Sequence, residues 1–114
     1  MSGTSMDGID IACIKTDGKN IVQYIVSDYT PYTTETKALL QDVVKNKAFD
    51  NAENLEALIT KEHALLTNNF ITKYGLQADI IGFHGHTIMH EPENGKTWQI
   101  GDGALLSKLT NTNV

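Results

Sequence analysis

Three stretches of this chain carry residue types that can do chemistry. The first is Ser2-Gly3-Thr4-Ser5-Met6-Asp7-Gly8-Ile9-Asp10. Gly3 and Gly8 would let the backbone approach an anion and aim successive N–H groups at it. Thr4 and Ser5 add hydroxyl donors for phosphate oxygens, while Asp7 and Asp10 can hold Mg²⁺ directly or through water. No Lys-Ser/Thr pair follows, and a strand rather than a helix comes next, so this is not a P-loop. The plain alternative is a polar tail whose Ser and Gly have no task.

The second stretch is His84-Gly85-His86-Thr87-Ile88-Met89-His90. On one continuous strand, positions 84, 86 and 90 share a face, which suggests zinc. A catalytic zinc needs three ligands converging on one point. His90 would lie about 13 Å from His86 on extended backbone. The other readings are polar groups at a strand end that contact a ligand, or plain structure. The third stretch, Gln99-Ile100-Gly101-Asp102-Gly103, is a strand-to-helix junction. Ligands bind at such strand ends in α/β sheets, but an Asp there commonly serves as a helix cap.

The elements that must position these groups follow from pattern. Residues 9–15 and 21–29 read as strands joined by a turn at Asp17-Gly18-Lys19-Asn20. Pro31 ends that pattern. Thr33 or Thr34 can cap a helix over 35–47, with Leu40, Val43 and Val44 as its apolar stripe. Asp50 and Glu53 have capping-box spacing for a helix over 52–74, ended by Gly75. Its apolar set is Leu55, Leu58, Ile59, Leu66, Phe70 and Tyr74. Residues 79–84 read as a short strand buried on both faces. Residues 87–90 and 97–100 form a hairpin around Glu91-Pro92-Glu93-Asn94-Gly95, and a last helix spans 104–110. Cys13 is expected in the core and Trp98 as a packing residue. The order reads as a mixed α/β sheet with flanking helices.

At 114 residues there is room for one domain. Nine Lys, no Arg and 14 acidic residues give a net charge of −5 with no basic cluster, which argues against a nucleic-acid partner. One cysteine excludes an internal disulfide framework. No membrane partner is expected, since no apolar run approaches the roughly 20 residues needed to span a bilayer. No basic and apolar secretory leader opens the chain, so a cytoplasmic location is expected.

Taken together, the three stretches resemble the 1,6-anhydro-N-acetylmuramic acid kinases. The opening Met1-Ser2-Gly3-Thr4-Ser5-Met6-Asp7-Gly8-Ile9-Asp10 is similar to that family's phosphate-binding loop. Ile81-Gly82-Phe83-His84-Gly85-His86-Thr87, His90-Glu91-Pro92 and Thr97-Trp98-Gln99-Ile100-Gly101-Asp102-Gly103 match its next block in order and approximate spacing. The resemblance implies an actin-like (ribonuclease H-like) ATPase fold with ATP in a cleft between two lobes. It implies a kinase that opens the anhydro ring of the sugar with water and phosphorylates O6, in peptidoglycan recycling. It carries Gly3, Thr4, Ser5, Met6, Asp7, Gly8, Ile9 and Asp10 over as the ATP-phosphate loop, with Mg²⁺ at Asp7 and Asp10. It sets His84, Gly85, His86, Gln99 and Asp102 on the sugar side.

Two departures stand out. His86 takes the place of the family's Gln, and His can still donate or accept a hydrogen bond. The family's catalytic aspartate and C-terminal lobe have no counterpart in residues 1–114, and its first strand precedes the phosphate loop. The resemblance therefore implies a partial N-terminal actin-like lobe with an incomplete mixed sheet, inactive as a kinase by itself. A homodimer, or pairing with a separately encoded remainder, would cover the open edge expected of such a piece. The other readings are a non-catalytic nucleotide- or sugar-binding module and a small metalloprotein using His84, His86 and His90.

Overall fold

The structure, a computed structural model, describes residues 6–114. Gly3, Thr4 and Ser5 of the expected phosphate loop lie outside the described residues. The chain opens with an antiparallel hairpin, β1 (Gly8–Thr16) against β2 (Val22–Pro31), in register from Gly8↔Pro31 to Thr16↔Val22 with a bulge at Cys13/Ile14. Its turn is built by Asp17, whose Oδ1 accepts from the amides of Lys19, Asn20 and Ile21 at 2.9–3.1 Å. Those bonds, that from Ile21 foremost, hold the Asp17 carboxyl below the usual carboxylate range.

Gly8 has a structural reason of its own. A Cβ there would strike the Thr30 carbonyl oxygen and come within 2.7 Å of the Pro31 Cα and the Tyr29 hydroxyl. The hairpin tolerates only a bare Cα at that crossing. Cys13, expected in the core, is only half-buried. Ile14, Ile21, Val22, Tyr24, Ile25 and Tyr29 of the same hairpin are exposed as well.

Helix α1 (Thr34–Lys45) starts where the Thr33 side chain accepts from the Thr36 amide at 3.3 Å. It buries Leu40 and Val43 completely. A 3-10 turn at Phe49–Asn51 leads into α2 (Ala52–Tyr74). The expected capping box of Asp50 and Glu53 is not formed. Asn51 stands at the cap with no side-chain bond, because the 3-10 turn takes Asp50 out of the capping position. Gly75 closes the helix at φ 61°, with Leu76 N–H reaching the Ile71 carbonyl at 3.0 Å. Leu55, Ile59 and Phe70 are buried as their spacing predicts, but the same face also carries Thr60, His63 and Thr67. Tyr74 lies outward, where its hydroxyl and the Lys73 ammonium both meet Asp28 Oδ2 at 3.1 Å and tie the hairpin to the helix.

The second hairpin pairs β3 (His86–Glu91) with β4 (Lys96–Ile100) around a 3-10 turn at Pro92–Asn94. Trp98 packs on Phe49 with ring centroids 5.4 Å apart. Helix α3 (Gly103–Thr110) follows.

Two expectations are corrected here. Residues 79–84 form no strand: they make one parallel bridge, Ile80↔Asn113, and Ile80 is 71% exposed rather than buried on both faces. Apolar composition does not suffice, since a strand needs a ladder partner along its length. For the same reason there is no single mixed sheet among the described residues, only two separate two-stranded antiparallel sheets with helices. The α/β class itself holds. One core joins the parts: Ile9 of β1, Leu40 and Val43 of α1, Leu55 and Ile59 of α2, and Ile88 and Ile100 of the second hairpin.

Candidate functional site

The core seats both chemical stretches by their neighbours. Ile9, next to Asp10, and Ile100, next to Gly101, belong to the same buried cluster. At the end of β4 the chain forms an open groove of about 520 Å³, lined by Phe83, His84, Gly85, Gln99 and Gly101 among others. Gly85 and Gly101 make it possible. Gly85 has φ 68°, and a Cβ there would strike the Ile100 carbonyl oxygen. Gly101 has φ 151°, and a Cβ there would lie 2.9 Å from the Phe83 ring and 3.0 Å from the Gly85 Cα. Two bare α-carbons thus let the 83–85 and 100–102 segments touch.

Helix α2 holds this junction with three polar residues one turn apart, Glu56, Thr60 and His63. The Gly101 amide donates to Glu56 Oε2 at 3.0 Å, and the Asp102 amide donates to Thr60 Oγ1 at 3.1 Å. The His63 ring meets the Phe83 ring edge-on with centroids 5.0 Å apart. His63 Nδ1 contacts the Ile59 carbonyl at 2.7 Å and therefore donates, which leaves Nε2 as the unprotonated nitrogen. That Nε2 is buried and has no partner among the described residues. Burial pushes the imidazole down to about 4 against the pull of the Ile59 carbonyl, and His84 and His86 push it the same way as burial. Single-residue motif reading missed all three. Their signal was polar types at i, i+4 and i+7 on an otherwise apolar helix face.

Of the residues expected on the sugar side, the structure brings His84, Gly85 and Gln99 together on the groove wall. The Gln99 amide donates to the His84 carbonyl at 2.6 Å and crosslinks the two segments. His86 is 4% exposed, with Nδ1 against the Thr87 carbonyl at 2.9 Å, so it sits beneath the groove and not in its lining. Asp102 caps α3, its Oδ1 accepting from the Leu105 amide at 3.0 Å. The metal reading of the histidines is corrected: among the described residues no three His, Cys, Asp or Glu side chains converge. Gly85 turns the chain, the ladder is irregular between Thr87 and Met89, and His90 Nδ1 faces the Thr97 hydroxyl at 2.9 Å.

At the other stretch, Met6 takes a left-handed φ of 60° just before Asp7. The Asp7 carbonyl accepts from the Tyr32 amide at 3.0 Å, and its exposed carboxylate faces Lys37 Nζ at 3.5 Å. Asp10 is exposed on β1.

The chain's whole length, residues 1–114, matches the family model described as anhydro-N-acetylmuramic acid kinase. The chain belongs to the anhydro-N-acetylmuramic acid kinase family. Proteins of that name from three bacteria are similar to it. That of Paramagnetospirillum magneticum is 41% identical over 110 residues, covering 94% of this chain and 30% of the relative. That of Agrobacterium fabrum is 38% identical over 126 residues, covering 100% of this chain and 34% of the relative. That of Brucella canis is 44% identical over 121 residues, covering 96% of this chain and 32% of the relative. The chain thus spans about a third of the length of these curated relatives. Among the described residues, no helix is long and apolar enough to cross a membrane.

Proposed function

We propose that this chain supplies one wall of an ATP-dependent anhydro-N-acetylmuramic acid kinase, in an actin-like N-terminal lobe. The observation that carries the reading is the family match over residues 1–114. The groove at Gly85 and Gly101, which two bare α-carbons and three α2 side chains maintain, agrees with it. In this reading His84, Gly85 and Gln99 face the sugar, with Gln99 fixing the His84 carbonyl. His86 and Asp102 act from behind, as a buried prop and a helix cap.

Residues Gly3 to Asp10 would hold the ATP phosphates, and Mg²⁺ would be held at Asp7 and Asp10. The described residues fit a nucleotide-borne Mg²⁺ better than a protein-caged metal. Among the described residues no three ligands converge, and Mg²⁺ is usually held by one or two carboxylates plus phosphate and water. ATP so bound supplies the phosphoryl group for O6 of the ring-opened sugar. Phosphoryl transfer needs nucleotide, metal and acceptor oriented between two walls, so the 114-residue chain by itself is proposed to have negligible kinase activity.

The test is turnover of ATP and anhydro-N-acetylmuramic acid by the purified chain, beside calorimetric titration with ATP–Mg and with the sugar. Robust turnover would overturn the proposal of a lone wall. Saturable binding of either ligand without turnover would favour a binding module.

A further inference from the structure

Asp7 and Lys37 belong to different segments, and each is held from behind. The Asp7 carbonyl accepts from the Tyr32 amide at 3.0 Å, and both Tyr32 and Ile9 are buried. Lys37 stands in the opening turn of α1, between Thr36 and Leu40, which are fully buried. Its amide donates to the Thr33 carbonyl at 2.9 Å. The Thr33 amide in turn donates to Glu62 Oε1 at 3.0 Å, which fixes the start of α1 on α2. Two anchored backbones therefore bring Lys37 Nζ to 3.5 Å from Asp7 Oδ1.

Stability gives this pair little to do. The two side chains stay 44% and 57% exposed, and an ion pair that open to water contributes little to folding. The charge has a better use. Residues 2–10 carry two carboxylates, Asp7 and Asp10, and no lysine. Phosphates drawn to such a stretch meet repulsion unless a cation stands by. Two ion pairs form among the described residues: Lys73 serves Asp28 on β2, and only Lys37 reaches the opening stretch. A Mg²⁺ ion that takes the Asp7 carboxylate displaces the ammonium. The flexible four-carbon stem of a lysine then lets it move to the nearest oxyanion.

We infer that Lys37 is a phosphate-contacting residue of the nucleotide site. It neutralises Asp7 while no nucleotide is bound, and it passes to a phosphate oxygen when Asp7 takes Mg²⁺. Lys37 thereby adds the cation that residues 2–10 lack, from a helix outside that motif. This rests on the reading of Gly3 to Asp10 as the holder of the ATP phosphates and deepens it. A role of this kind has a two-sided signature. Removing the ammonium weakens the hold on ATP, yet it frees the Asp7 carboxylate for a divalent cation. A lysine that only braces the fold would weaken both.

The test is titration of the whole chain, as parent, Lys37→Ala and Lys37→Arg, with ATP in the absence and presence of Mg²⁺, followed by amide NMR shifts. Mn²⁺ alone, read by broadening of the Asp7 amide signal, reports on the carboxylate. Lys37→Ala is expected to bind ATP roughly tenfold more weakly, from the loss of one charge-assisted contact. Its Mn²⁺ affinity is expected to equal or exceed that of the parent, with an unchanged thermal midpoint. Lys37→Arg keeps the charge and is expected to stay within about threefold of the parent. Equal ATP affinity in Lys37→Ala and the parent overturns the inference. So does a parallel loss of ATP and Mn²⁺ affinity, since the lysine is then a brace, and so does an Arg variant as weak as the Ala variant. A parent that gives no saturable ATP shift removes the phosphate-loop reading itself, and the role of Lys37 falls with it.

Discussion

The Gly101 amide donates to the Glu56 carboxylate at 3.0 Å, and this bond ties the turn after β4 to the middle of α2. The two residues are far apart in sequence and belong to different motifs by type. Glu56→Ala removes the acceptor and leaves a half-buried N–H unpaired. A loss of about 1–3 kcal/mol in unfolding free energy is expected, read by urea titration. Glu56→Gln keeps an acceptor in place and is expected to lose less than about 1 kcal/mol.

Gly85 and Gly18 both have left-handed φ, at 68° and 77°, but differ in surroundings. Nothing lies within 4 Å of a Cβ on Gly18, whereas one on Gly85 strikes the Ile100 carbonyl. Gly18→Ala is expected to destabilise by about 1–2 kcal/mol, from backbone strain alone. Gly85→Ala combines strain with a backbone clash, and a loss above about 3 kcal/mol is expected. The difference in thermal midpoints between the two variants checks this.

His63 makes stability depend on pH. Its folded value of about 4 lies below the ordinary 6.5, so the folded state binds the proton less well than the unfolded chain. The contribution is full above pH 6.5 and is lost as pH falls from there toward 4. The whole effect is at most about 3 kcal/mol. His63→Asn keeps a donor for the Ile59 carbonyl but has no titrating ring. Urea midpoints measured between pH 7 and 4 are expected to fall less steeply in this variant than in the parent.

Asp102 separates capping from ligand contact. Asp102→Ala removes the acceptor for the Leu105 amide and is expected to cost about 1 kcal/mol, while Asp102→Asn preserves the cap within a few tenths. If Asp102 serves only as a cap, calorimetry will find equal sugar affinity in the Asn variant and the parent.

Much of the local structure was legible in the chain. Local signals determine α2, because an i, i+3, i+4 stripe and Gly75 specify where a helix runs and where it must stop. They determine the Asp17-Gly18 turn, whose bonds span four residues. Gly8 and Gly85 were visible as candidates, but their reason was not. Gly8 is required by the Thr30 carbonyl across the hairpin, and Gly85 by Ile100, so each constraint lies in a distant residue.

The assignment to an anhydro-N-acetylmuramic acid kinase family came from the sequence itself, through motif order along the whole chain. Only the tertiary structure decided which motif residues face the groove. Strand alternation put His84, His86 and His90 on one face, but the left-handed Gly85 and the irregular ladder after Thr87 sent them apart. It also decided that, among the described residues, 79–84 make a single bridge to Asn113 in place of a ladder. A strand is a property of two segments, and an apolar run states only half of that pairing.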